Sequence, residues 1–179
     1  MAIIKSLEQL FLLGALTDDH KLADPVGHQM ARLPLDPIYS KALILASQFN
    51  CLEEMLITVA MLSVESIFYA PRENQIRGHV EQMGLRVASC GDDMLQFRRC
   101  LNASFFLNAA QRQPDGTYKA LASNQVVQIH PSSVLFRTKA DCIIFNELVR
   151  TNHNYIRNIT RIDPLWLLEL ASQYYATQN

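Results

Sequence analysis

The chain has 179 residues, 49% of them hydrophobic, enough to bury a core as one domain or two small ones. Its net charge of −1 excludes a general attraction to polyanions, but the charge is unevenly spread, −5 over residues 1 to 97 and +6 over residues 98 to 161. Such an asymmetry points to a nucleic-acid or anionic surface on the basic half, against the plainer reading of a solvated face with clustered cations.

Cys51, Cys90, Cys100 and Cys142 are widely spaced, with no CxxC and no His at ligand spacing. Neither zinc nor a disulfide framework is indicated, and all four are expected as buried small hydrophobes in a reducing compartment. Ala2-Ile3-Ile4 is too short an apolar run for a signal peptide and is interrupted by Lys5 and Glu8. No stretch approaches the ~20 apolar residues of a membrane span. A soluble, intracellular protein is expected.

In chain order, the first hundred residues carry helical periods. Ser6 to Ala15 is one helix, with Gly14 placed to end it and Thr17-Asp18-Asp19 forming a polar turn. Gly27 to Leu33 is a short helical piece stopped by Pro34. Asp36-Pro37 starts the next helix, an N-cap carboxylate followed by proline at the first position, with Ile38, Ala42, Leu45, Ala46 and Phe49 as its core stripe. Glu53 to Ile67 is apolar nearly all round, which predicts burial among other helices. Gln75 to Met83 gives a weaker helix. Asp92 or Asp93 then caps a longer one through Ala109, with Leu95, Cys100, Leu101 and Phe105 inside and Arg98-Arg99 outside.

From residue 112 the period changes. Gln113-Pro114-Asp115-Gly116-Thr117 is a tight turn. Tyr118 to Leu121, Val126 to His130, Val134 to Phe136, Cys142 to Val149 and Tyr155 to Thr160 are predicted as short strands, with a bend at His130-Pro131-Ser132-Ser133. Asp163-Pro164 starts a last amphipathic helix through Leu165, Leu168 and Ala171. The fold class is therefore α+β, an N-terminal helical bundle followed by a five-stranded OB-type barrel and a C-terminal helix.

No catalytic or metal constellation is present. The glycines are isolated and match no phosphate loop, no GxSxG elbow exists, and the five histidines do not gather with carboxylates. Glu53-Glu54 and Asp92-Asp93 sit at helix starts, where the helix dipole favours acids. The binding signal is stronger. OB barrels hold single strands in a basic groove with rings or amides for the bases. Lys119, Arg137 and Lys139 fall at strand ends or in loops. Asn152-His153-Asn154-Tyr155 with Arg157 and Asn158 offers amides, an imidazole, a ring and a cation within one loop and strand. Tyr118 and Tyr155, taken singly, fit core or rim packing better than base stacking, and Arg157 fits a structural role as well.

Three runs carry a family resemblance in the first half. Leu10-Phe11-Leu12-Leu13-Gly14-Ala15-Leu16, Gly27-His28-Gln29-Met30-Ala31-Arg32-Leu33-Pro34-Leu35-Asp36-Pro37 and Ala60-Met61-Leu62-Ser63-Val64-Glu65-Ser66-Ile67-Phe68 resemble the helicase-associated region of DEAH-box RNA helicases. Arg99-Cys100-Leu101, Gly116-Thr117-Tyr118, Ile129-His130-Pro131-Ser132-Ser133-Val134-Leu135-Phe136, Tyr155-Ile156-Arg157-Asn158-Ile159-Thr160 and Ile162-Asp163-Pro164-Leu165-Trp166-Leu167 are similar to the OB-fold of the same proteins.

The resemblance implies three regions: residues 1–20 as the end of a winged helix, 21–97 as the helicase-associated bundle, and 98–179 as the OB-fold with a C-terminal helix. Family members usually carry a further stretch between Pro71 and the helix at Ile76-Arg77, so the bundle is expected to be internally shortened near 71–76. The resemblance implies an accessory region that caps the RNA channel of two motor domains. ATP and magnesium are expected only on those motor domains and no cofactor on this chain. Single-stranded RNA, the motor domains or an activator protein are the implied partners, no membrane is involved, and a nuclear or nucleolar location is implied, with a cytoplasmic one as the alternative. RNA contact is expected at Lys119, His130, Arg137, Lys139, Arg157 and Asn158.

Overall fold

A computed structural model describes residues 2–63 and 72–176. The expected continuation of the third long helix to Ile67, the matched run from Val64 to Phe68 and the Pro71 side of the shortened junction lie outside the described residues. The chain divides into two compact units, residues 1–100 and 101–179.

The first unit is helical: α1 (Ala2–Leu12), α2 (Val26–Ala31), α3 (Pro37–Gln48), α4 (Leu52–Leu62), α5 (Arg72–Gln82) and most of α6 (Met94–Phe105). Gly14 does end α1. Its φ is +74°, and its amide and that of Ala15 return to the carbonyls of Phe11 and Leu10 at 2.8 and 2.9 Å, the paired bonds of a left-handed helix stop. Asp36 caps α3 by accepting from the Ile38 amide at 3.0 Å, and Pro37 takes the first helical position. At α6 it is Asp93 whose carboxylate accepts from the Leu95 amide at 3.2 Å.

Leu43, Ile44, Leu52, Met55, Leu56, Val59 and Val80 form the buried interior of this unit. One expectation is corrected at α4. The helix packs against α3 and α5, which covers Met55, Leu56 and Val59, but Ile57 and Met61 remain exposed among the described residues. Leu95 is exposed as well. Of the four cysteines, Cys51, Cys100 and Cys142 are buried, whereas Cys90 is only half-buried.

The second unit is a closed barrel of β1 (Ala109–Arg112), β2 (Tyr118–Ala120), β3 (Val126–Ile129), β4 (Cys142–Arg150) and β5 (Asn154–Arg161), in the order β1-β2-β3-β5-β4. Only the β3–β5 pair is parallel; the other four pairs are antiparallel. Ala110, Tyr118, Val127, Ile129, Ile143, Phe145 and Ile156 fill the interior. Tyr118 belongs to that core: its hydroxyl donates to the Ala140 carbonyl at 2.8 Å, and burial pushes its ionisation upward.

Five strands were expected and five are found, but not the same five. Val134–Phe136 is no strand; it lies in a run of turns, with Val134 95% exposed. The strand found in its stead is Ala109–Arg112, of which only Ala109 was expected, as the last residue of the helix. The helix stops at Phe105, a 3-10 turn spans Phe106–Asn108, and the chain then pairs with β2 and β4. The final helix is broken into α7 (Leu165–Leu170) and α8 (Ser172–Tyr175). Tyr175 closes the unit by donating its hydroxyl to the Phe106 carbonyl at 2.6 Å.

Candidate nucleic-acid interface

Alternation along each strand sorts the barrel into an inner and an outer face. On β3 Val127 and Ile129 point inward, leaving Val126, Gln128 and His130 on the outer face. On β5 Ile156 is inward, so Tyr155 and Arg157 are outward. Lys119 is the exposed outward residue of β2, between inward Tyr118 and Ala120. The register joins these positions into one surface: Lys119 stands opposite Val126, and Gln128 opposite Tyr155.

His130 and Arg157 meet across the parallel β3–β5 pair, with Arg157 Nη2 3.0 Å from His130 Nε2. A guanidinium can only donate, so Nε2 accepts and carries no proton. The ring proton of the neutral imidazole then sits on Nδ1 and is donated to Ser132 Oγ at 2.7 Å. The Ser132 amide also lies 3.2 Å from Nδ1. The shorter, charge-assisted bond from Arg157 decides the tautomer. Tyr155 presents its ring to His130 edge-on, centroids 5.4 Å apart at 77°, and His153 packs against Tyr155 in the same manner at 6.0 Å. Arg157 is thus half-buried and oriented, yet its Nε has no hydrogen-bond partner among the described residues. Glu147 faces it in the β4–β5 register, but the bond Arg157 makes is to His130.

The remaining expected contacts are more scattered. Arg137 and Lys139 are exposed on the long β3–β4 connection, outside any strand. Asn158 is exposed with φ +51°, a conformation that asparagine tolerates better than most residues. It lets Ile156 and Ile159 both reach the core despite a three-residue spacing, so its part is to bend β5. Gln128 was not expected. Its signal was its position between Val126 and His130 on one face of an alternating strand.

At the barrel ends the turns are fixed by their own hydrogen bonds. In the β1–β2 turn Asp115 accepts from the Thr117 hydroxyl at 2.6 Å and its amide at 2.9 Å, which holds its carboxyl below the usual range. In the β4–β5 turn the Thr151 amide donates to the His153 carbonyl at 3.0 Å. These two turns and the β2–β3 face are where OB barrels receive oligonucleotides or oligosaccharides.

Comparison with known proteins agrees with this geometry. An oligonucleotide/oligosaccharide-binding (OB)-fold family matches residues 97–174. The helicase associated domain (HA2) matches twice, its winged-helix part over residues 6–35 and its ratchet-like part over residues 36–120. The chain is 50% identical to the pre-mRNA-splicing factor ATP-dependent RNA helicase DEAH10 of Arabidopsis thaliana, over 98% of the chain and 34% of the relative. The chain belongs to the helicase-associated and OB-fold region of the DEAH-box RNA helicases.

Two further DEAH-box relatives match nearly the whole chain. Identity is 32% to the ATP-dependent RNA helicase DHX33 of Homo sapiens, over 95% of the chain and 32% of the relative. It is 30% to the pre-mRNA-splicing factor ATP-dependent RNA helicase prp22 of Schizosaccharomyces pombe, over 99% of the chain and 20% of the relative. The chain therefore spans about a third or less of the length of these helicases. The alignment with DEAH10 runs over 246 positions although the chain has 179 residues. The relative thus carries residues inside the matched stretch that this chain lacks.

Proposed function

We propose that this chain is an accessory region of a DEAH-box ATP-dependent RNA helicase, which holds single-stranded RNA on the outer face of its barrel and caps the RNA channel of the motor domains. The observation that carries this reading is the outward row Lys119, Gln128, His130, Tyr155 and Arg157, in which a guanidinium is oriented by a neutral histidine instead of being neutralised by a carboxylate. A pre-positioned cation beside an edge-exposed ring suits a phosphate with its base. ATP and magnesium belong, on this reading, to the motor domains; the isolated glycines of this chain build no phosphate loop. The DEAH10 and prp22 relatives are pre-mRNA-splicing factors, which favours RNA processing in the nucleus. The shortening of the bundle is assigned, as part of this reading, to the junction between Pro71 and Ile76.

The test is fluorescence anisotropy with a labelled single-stranded RNA. Arg157→Gln is expected to weaken binding about ten- to a hundredfold, the range of a charge-assisted contact, and Lys119→Ala by a smaller factor. Binding unchanged in the Arg157→Gln and Lys119→Ala double variant would remove RNA from this face.

A second reading has its own observation. On the β3–β4 connection Val134 and Phe136 are 95% and 49% exposed beside Arg137 and Lys139. An apolar and basic knuckle of that kind suits a protein partner, an activator or the motor domains themselves. Pull-down with and without nuclease separates the two, because RNA-bridged partners are lost on digestion and direct ones remain.

A further inference from the structure

We infer that Cys51 and Cys100 are an oxidation site of the helical unit: a peroxide joins them in a reversible disulfide, with Cys51 as the attacking thiol. Both side chains are fully buried, and both residues are fastened to one face of α3. The Cys51 amide donates to the Ala46 carbonyl at 3.0 Å, and the Cys100 thiol donates to the Ala42 carbonyl at 3.6 Å. Ala42 and Ala46 stand one helical turn apart, so their carbonyls line the same side of the helix. These anchors bring the two thiols into hydrogen-bond contact with each other. Sulfurs that close need little motion to reach the roughly 2.05 Å of a disulfide.

The surroundings set this pair apart from the other two cysteines. The Cys100 thiol has a second acceptor besides Ala42. It hydrogen-bonds Cys51, and that bond holds the Cys51 thiol below its ordinary value, against the burial and the Glu54 charge that oppose ionisation. Cys51 also stands at the N-cap of α4, where the helix dipole favours a thiolate. Cys90 goes the other way, because burial and the Glu54 carboxylate push its thiol up. Burial raises Cys142 to about 11. The thiolate is the nucleophile, and these directions favour Cys51 over Cys90 and Cys142. A hollow of about 620 Å³, lined in part by Asn50, Ser89 and Cys90, brings solvent to the residue next to Cys51.

The step balances with hydrogen peroxide as the oxidant. The Cys51 thiolate attacks one peroxide oxygen and the O–O bond breaks. The leaving hydroxide takes up the proton that Cys51 released, giving water and a Cys51 sulfenic acid. The Cys100 sulfur then attacks the Cys51 sulfur. An S–S bond forms, the S–O bond breaks, and the hydroxyl leaves as a second water with the Cys100 proton. Two electrons have passed from the sulfurs to the peroxide. The new bond closes the stretch from 51 to 100, which contains the Pro71–Ile76 junction. A cross-link over a long loop stabilises mainly by restricting the unfolded chain, so oxidation stabilises the helical unit.

The experiment exposes the full chain to hydrogen peroxide and maps its peptides without reduction. The expected product has lost two hydrogens, yields a peptide pair linked through Cys51 and Cys100, and melts about 5 °C or more above the reduced protein. Dithiothreitol should restore the original mass and Tm. In Cys100→Ala, dimedone should label Cys51 as the trapped sulfenic acid; in Cys51→Ala, Cys100 should take no label. The peptide map of the parent protein decides the pairing even if these variants fail to fold. A bond from Cys51 to Cys90, oxidation confined to Cys90, or four thiols left unchanged overturns the pair. A dimedone label on Cys100 in Cys51→Ala overturns Cys51 as the attacking thiol. A Cys51–Cys100 bond without a rise in Tm overturns its stabilising role.

Discussion

Gly27 shows what a single residue decides in the helical unit. It is buried inside α2, and a Cβ there would press into the Ala15 carbonyl oxygen, with the Ala15 carbonyl carbon at 3.1 Å and the Leu22 carbonyl carbon at 3.3 Å. These neighbours are backbone and cannot rotate away. Gly27→Ala should therefore destabilise the unit by about 2 kcal/mol or more, as over-packing does. Gly78, in α5, meets nothing within 4 Å, and Gly78→Ala should stabilise by about 0.5–1 kcal/mol through helix propensity alone. Urea unfolding of the two variants checks the pair; equal midpoints would mean that the Ala15 contact is not made. Nothing in the sequence separates these two glycines, because the neighbour that distinguishes them comes from a β-bridge of Leu16 with Leu22. The same holds for His130 and Arg157, 27 residues apart. Both residue types were legible as binding candidates, but their union needs the parallel pairing of β3 with β5.

Among the elements, those with local signals were legible and those defined by pairing were not. Asp36-Pro37, Gly14 and Asp163 act within a few residues of where they stand, and each is found in its expected place: Asp163 accepts from the Leu165 amide at 2.9 Å at the start of α7. Val134-Leu135-Phe136 had strand composition but no partner strand. Its backbone is satisfied instead by turns, the Leu135 amide donating to Ser133 Oγ at 3.2 Å and the Thr138 amide to the Leu135 carbonyl at 3.0 Å. Ala109-Ala110-Gln111-Arg112 has helix-favouring composition and no Gly or Pro parts it from α6, so only its neighbours β2 and β4 make it a strand. A second tie of this non-local kind is testable by pH. Glu54 of α4 accepts from the Ser89 hydroxyl and from the Cys90 amide at 3.3 Å, fastening the segment before α6 to α4. Partial burial works against the charge, and these hydrogen bonds outweigh it, holding the carboxyl below its ordinary value. A carboxylate depressed in the folded state stabilises above its unfolded pKa and loses that contribution as pH falls through the folded one. The melting temperature of Glu54→Gln should thus lie below the parent's at neutral pH, and the gap should close on acidification below 4.5, the ordinary glutamate value. A gap that persists unchanged to pH 3 would mean that the ionised carboxylate is not the stabilising form.

At the scale of the whole molecule, a net charge of −1 gives RNA no general attraction, so salt dependence must come from the few cations that touch phosphate. Four of the seven Lys and Arg of the barrel unit are the expected contacts, Lys119 and Arg157 on the outer face and Arg137 and Lys139 on the β3–β4 connection. Each neutralised phosphate of a single strand contributes about −0.7 to the slope of log K against log salt. If all four bind phosphate, the slope is about −2.8; if only the outer-face pair does, it is about −1.4. The Arg137→Ala, Lys139→Ala double variant decides between these. A slope that becomes shallower by about 1.4, with the affinity falling at low salt, assigns the connection to the RNA path. An unchanged slope assigns it elsewhere. The exposed Val134 and Phe136 beside these cations then belong to a protein surface, with strand recognition confined to the β2–β3–β5 face. That outcome also concentrates the whole electrostatic dependence on Lys119 and Arg157, and the residual slope of the double variant counts the phosphates they neutralise.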